Sequence, residues 1–171
     1  PELDEGDLLY MPTTLPGVSI AQAGAILQQT DRLIKTQPEV ASVFGKVGRA
    51  ETATDPAPLT MLETTIALKP KSEWREGITL DDIIAELDSK IKFPGLTNAW
   101  VQPIKTRIDM LSTGVKSPVG IKISGADLAV IEQIGQQIEA ILAPLSATSS
   151  VYSERAQSGR YIDIVPRRAD A

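Results

Sequence analysis

The chain of 171 residues carries 42% apolar residues and a net charge of −5, with a pI near 4.8. That length suits one ordinary domain or two small ones, and the acidic balance argues against a nucleic-acid or anionic-membrane surface. It contains neither Cys nor His, which excludes disulfides, thiolate or imidazole metal ligands and an ordinary Ser-His-Asp triad.

In chain order, the acidic opening PELDEGDLLY has no apolar h-region, and its Glu2, Asp4, Glu5 and Asp7 read as solvated charges. Leu8 to Thr14 reads as a strand, ended by Leu15-Pro16-Gly17. Ser19 and Gln22 have the spacing of a capping box, and Ile20, Ala23, Leu27 and Ile34 keep helical spacing to about Lys35. Val40 to Val47 reads as a second strand and Arg49 to Pro58 as a polar loop. Leu59 to Leu68 is the clearest strand. Leu62, Thr64, Ile66 and Leu68 share one face, while Met61, Glu63, Thr65 and Ala67 share the other.

Thr79 is the expected cap of a helix whose stripe is Leu80, Ile83, Ile84, Leu87 and Ile91, ended at Pro94-Gly95. Asp81 and Asp82 suit the start of that helix as dipole partners. Trp74 and Trp100 read as core or loop anchors. Asn98 to Ile104 reads as a strand, and RIDMLSTG after it as a turn segment. The order is then strand-helix-strand-strand-helix-strand, an α+β, two-layer ferredoxin-like (split βαβ) arrangement over residues 1–108. The pattern begins again over residues 109–171. Val119 to Gly125 is an expected strand, Asp127 to about Leu142 a helix with Ile131, Ile134, Ile138 and Ile141 inward, and Ser149 to Glu154 and Arg160 to Val165 two further strands. This second unit is a truncated βαββ subdomain, so a fragment of a longer protein is expected.

Three methionines, Met11, Met61 and Met110, are the only soft donors in the chain. Lone methionines commonly fill gaps under loops. Alternatively, thioethers from separate elements could converge, and a soft site of that kind suits Cu(I) or Ag(I) rather than Zn(II) or Mg(II). Periodicity leaves both readings open.

The stretches LLYMPTTLPGVS, VFGKVGRAETATDPAPL, ETTIALKP, PGLTNAWVQPIKTRIDMLSTGVKSPVGIKISG and GRYIDI run through almost the whole chain. Together they resemble the periplasmic porter segment of the heavy-metal efflux branch of the RND transporters, of the CusA/SilA-type Cu(I)/Ag(I) exporters. The resemblance implies a monovalent-ion site of three methionines, at Met11, Met61 and Met110, in a cleft at the hand-over between two porter subdomains. It also implies Glu5, Asp55, Glu63, Arg107 and Lys116 as charges around that cleft, each of which could equally be a solvated surface charge. Further implications are Cu(I) or Ag(I) as transported ligand with no organic cofactor, a homotrimer in the inner membrane, and partnership with a periplasmic adaptor and an outer-membrane channel. No enzyme activity and no nucleic acid are expected. The other reading is a structural or docking module whose methionines are core filler.

Overall fold

The computed structural model describes residues 5–51, 56–117, 119–148, 150–154, 162, 164–166 and 168. Two compact units divide the chain, Pro1–Ile123 and Ser124–Ala171.

In the first unit, four strands make one antiparallel sheet: β1 (Asp7–Tyr10), β3 (Val40–Lys46), β6 (Glu63–Leu68) and β8 (Trp100–Val101). Their spatial order, β3-β6-β1-β8, is the ferredoxin-like order with β1 and β6 central. Helices α1 (Ile20–Lys35) and α2 (Leu80–Lys90) supply the two crossovers. Ser19 caps α1 by accepting from the Gln22 N–H at 3.1 Å. Thr79 and Asp82 cap α2 reciprocally: the Asp82 N–H donates to Thr79 Oγ1 at 3.2 Å, and the Thr79 N–H to Asp82 Oδ2 at 2.9 Å. These bonds satisfy donors that a helix start otherwise leaves unpaired. Leu8, Tyr10, Ile34, Val40, Ile66, Ile83, Leu87 and Ile91 form the buried core. Both tryptophans anchor it. Trp100 stacks on Tyr10 with ring centroids 4.3 Å apart and donates to Asp88 at 2.9 Å, while Trp74 donates to the Lys69 carbonyl at 2.7 Å.

Several local expectations are corrected. The strand expected over residues 8–14 is broken: β1 ends at Tyr10, and a separate β2 (Thr13–Thr14) pairs with β7 (Leu96–Thr97). Pro12 explains the break, since it has no N–H to donate to a ladder. The expected loop 49–58 contains a small pair, β4 (Ala50–Glu51) with β5 (Pro56–Ala57). The strand expected to reach Ile104 stops at Val101. A helix, α3 (Pro103–Thr113), replaces its end and the turn segment after it, running through position 108/109. Pro103 sits at its first turn, where a missing N–H does no harm, and Gly114 ends it in the left-handed region at φ 78°.

In the second unit the expected helix is present as α4 (Leu128–Leu142), capped by Asp127. Its expected inward stripe is only partly covered: Ile131 and Ile138 are half-buried, Ile134 is 38% and Ile141 67% exposed, and Gly135 is its buried residue. Residues 119–125 and 150–154, expected as strands, are not strands among the described residues. A strand exists only through its ladder, and among the described residues no segment pairs with these. Of the strand expected over 160–165, residues 160, 161 and 163 lie outside the described residues, and 162, 164 and 165 are not in a strand.

Candidate metal site

Met11 adjoins the break in the first strand, and Met61, just before β6, lies opposite Thr13 beyond that break. The alternation that puts Leu8 and Tyr10 into the helix-covered core turns Leu9 and Met11 to the other face of the sheet. Likewise Leu62, Thr64 and Ile66 are fully buried towards the core, which leaves Met61 and Glu63 facing the same way as Met11. The backbone knits these residues together. The Met11 N–H donates to Ala99 O at 2.9 Å, the Leu62 N–H to Pro12 O at 3.2 Å, and the Thr14 N–H to Thr60 O at 2.8 Å. Thr13 and Met61 form an isolated antiparallel bridge. Met11 is 3% exposed; Met61 and Met110 are half-buried.

Met110 rides on α3, which packs against β1 and is held by two devices. At its start the Glu5 carboxylate accepts from the N–H groups of Ile104 at 2.6 Å and Lys105 at 2.9 Å. At its end the Gly114 N–H donates to Met110 O at 3.0 Å. Lys116 then reaches back, donating from Nζ to Met11 O at 2.9 Å and to Thr13 Oγ1 at 2.8 Å. One short loop thus ties the end of Met110's helix to the Met11 corner. Burial takes the Lys116 ammonium out of water and pushes it down to about 8 from 10.5; its two partners are neutral oxygens.

The expected charged residues divide. Lys116 stands beside Met11. Glu63 stands two residues from Met61 but is held by Lys46 at 3.0 Å. Glu5 is the cap of α3, a role that its place in an acidic run conceals. Arg107 is exposed on α3. Asp55 lies outside the described residues. Sequence reasoning missed Thr13, whose hydroxyl is the second Lys116 acceptor; the Thr-Thr pair after Met11-Pro12 was its only signal. A cavity of about 390 Å³ opens at the start of α2, lined by Lys71, Trp74, Arg75 and neighbours and by none of the methionines. Among the described residues no three acidic side chains gather as a metal cluster.

The family model for the AcrB/AcrD/AcrF family matches residues 1–171. The chain belongs to that family. Over its full length it is 61% identical to the cation efflux system protein SilA of Salmonella typhimurium and 57% identical to the cation efflux system protein CusA of Escherichia coli K12. It spans 16% of the length of each. A crystal structure of a heavy metal efflux pump superimposes with a TM-score of 0.79 at 28% identity, covering 84% of this chain and 15% of that one. The chain is therefore a segment of the heavy-metal RND type, and its relatives are named as efflux proteins. No helix among the described residues is long and apolar enough to cross a membrane.

Proposed function

We propose that this chain is the periplasmic metal-binding segment of a proton-driven Cu(I)/Ag(I) efflux pump, with Met11, Met61 and Met110 as thioether ligands to one monovalent ion. The observation that carries the reading is the corner itself. Met11 and Met61 share one sheet face across the Thr13–Met61 bridge, and the Lys116 loop fastens the end of the Met110 helix to it. Neutral thioethers bind a soft d¹⁰ ion selectively yet release it more readily than thiolates, which suits a carrier that must hand its cargo on. Residues 1–108 serve as one porter subdomain and 109–171 as the first part of the next. The complete pump works as a homotrimer in the inner membrane, with a periplasmic adaptor and an outer-membrane channel. Transport is driven from membrane helices, so this segment binds without transporting and catalyses no reaction.

A second reading, that of a structural or docking module, draws on the burial of Met11, which is what a core filler would show. Substitution separates the two. Met61→Leu and Met110→Leu nearly conserve volume and should cost under about 1.5 kcal/mol of stability. On the ligand reading each lowers Ag(I) affinity at least tenfold in a competition titration. Unchanged affinity in both variants favours the structural module.

A further inference from the structure

Helix α3 brings little stability of its own. It has 11 residues, a length that is marginal without buried contacts, and its apolar residues Ile104, Ile108 and Leu111 are exposed. Its first turn carries no acidic residue, and the side chain at its N-cap, Gln102, makes no capping bond. The missing cap comes from about a hundred residues away. Glu5 accepts from the N–H groups of Ile104 at 2.6 Å and Lys105 at 2.9 Å, the second and third positions of the helix. In return the Glu5 N–H donates to Gln102 Oε1 at 3.1 Å. This exchange is a capping box built from two distant segments. It fastens the start of α3 to the residues that enter β1, the strand that leads to Met11.

We infer that Glu5 is a positioning residue for the metal site: by capping α3 it keeps the helix that carries Met110 formed and fixed to the strand that leads to Met11. The inference rests on the thioether reading of the site. Met11 and Met61 are held by backbone hydrogen bonds and by the Thr13–Met61 bridge, with no part played by α3. Met110, about two turns into α3, depends on that helix. A ligand set that needs a third donor from a partly frayed helix binds only in proportion to the fraction of molecules in which the helix is formed. A cap of ordinary worth shifts such an equilibrium about fivefold. Glu5 thus acts on the ion through backbone N–H groups and not through its charge.

The test titrates silver nitrate into the 171-residue chain as wild type, as Glu5→Ala and as the double variant Glu5→Ala/Gln102→Ser. A serine at the N-cap accepts from the same N–H groups locally, with no charge and nothing at position 5. Ag(I) affinity is expected to fall about fivefold in Glu5→Ala and to return to within about twofold of wild type in the double variant. In the metal-free Glu5→Ala protein the ¹³C methyl signal of Met110 should move while those of Met11 and Met61 stay. Unchanged affinity in Glu5→Ala, with Ag(I) bound by the wild type, overturns the positioning role alone. A loss that the serine does not restore makes Glu5 act on the ion directly and also overturns it. Wild-type protein that binds no Ag(I) overturns the thioether reading and the inference with it. A Glu5→Ala protein that is unfolded by circular dichroism makes Glu5 an anchor of the whole unit and overturns the proposal.

Discussion

Replacing Arg75 by Ala should uncover how much of the first unit rests on one ionic network. The Glu39 side chain is fully buried, while Arg75 is 44% exposed. Arg75 Nε donates to Glu39 Oε1 at 2.6 Å and Nη2 to Oε2 at 3.2 Å, and its far edge bonds Glu86 at 2.7 Å and 3.1 Å. Gln37 donates to both acids and accepts from Lys90, so the end of α1, the entry to β3 and α2 meet here. The guanidinium holds the Glu39 carboxyl down to about 2, against an ordinary 4.5. Without Arg75 a buried carboxylate keeps only the Gln37 amide and its own backbone contacts. Breaking a buried pair costs about 3–5 kcal/mol, and the wet side of Arg75 discounts this to about 2 kcal/mol.

The sign of the pH dependence follows from the depressed value. Glu39 stabilises the folded state fully above the unfolded pKa, and that contribution is lost as pH falls from about 4.5 towards 2. In Arg75→Ala, burial instead raises the Glu39 pKa, so this acid-labile contribution is gone. Urea unfolding should therefore show a midpoint lower by about 1 M at pH 7, and the gap should shrink by roughly half at pH 3. Equal gaps at the two pH values, or no gap at pH 7, would refute the reasoning.

Two further outcomes are expected. Glu5→Ala removes the acceptor for two N–H groups at the start of α3; it should cost about 1 kcal/mol and raise amide exchange in α3 while leaving β6 protected. In the second unit, α4 leaves Leu128, Val130 and Ile141 at least half exposed, so its amides should exchange faster than those of β1 and β6; equal protection would contradict that account.

What the sequence reveals follows from where burial and caps coincide. Helices α1 and α2 are legible because each has a capping residue followed by an apolar face that is buried, ending in Ile34 for α1 and Leu87 for α2. Helix α3 is not, because its regularly spaced apolar residues Ile104, Ile108 and Leu111 face outward at 61%, 56% and 83% exposure. Periodicity finds a helix through a core face, and here the inward positions are Thr106, Met110 and Thr113, which carry little hydrophobic signal. The alternation along Met61 to Leu68 reads correctly because Leu62, Thr64 and Ile66 are buried and Leu68 packs partly buried against the core. Charged residues fare worst, since a carboxylate's role depends on a partner distant in sequence. Glu5 meets the start of α3 across about a hundred residues, and Lys116 meets Met11 across 105.

The central claim is one soft ion held by three thioethers, and the methyl groups of those thioethers report it directly. With methionine methyls labelled with ¹³C, the chain has three signals, one each for Met11, Met61 and Met110, assigned by single Leu substitutions. Stepwise addition of Ag(I) should shift all three together and saturate at one equivalent, whereas Zn(II) should move none. Shifts confined to one signal, or three signals responding at different stoichiometries, would contradict a shared site.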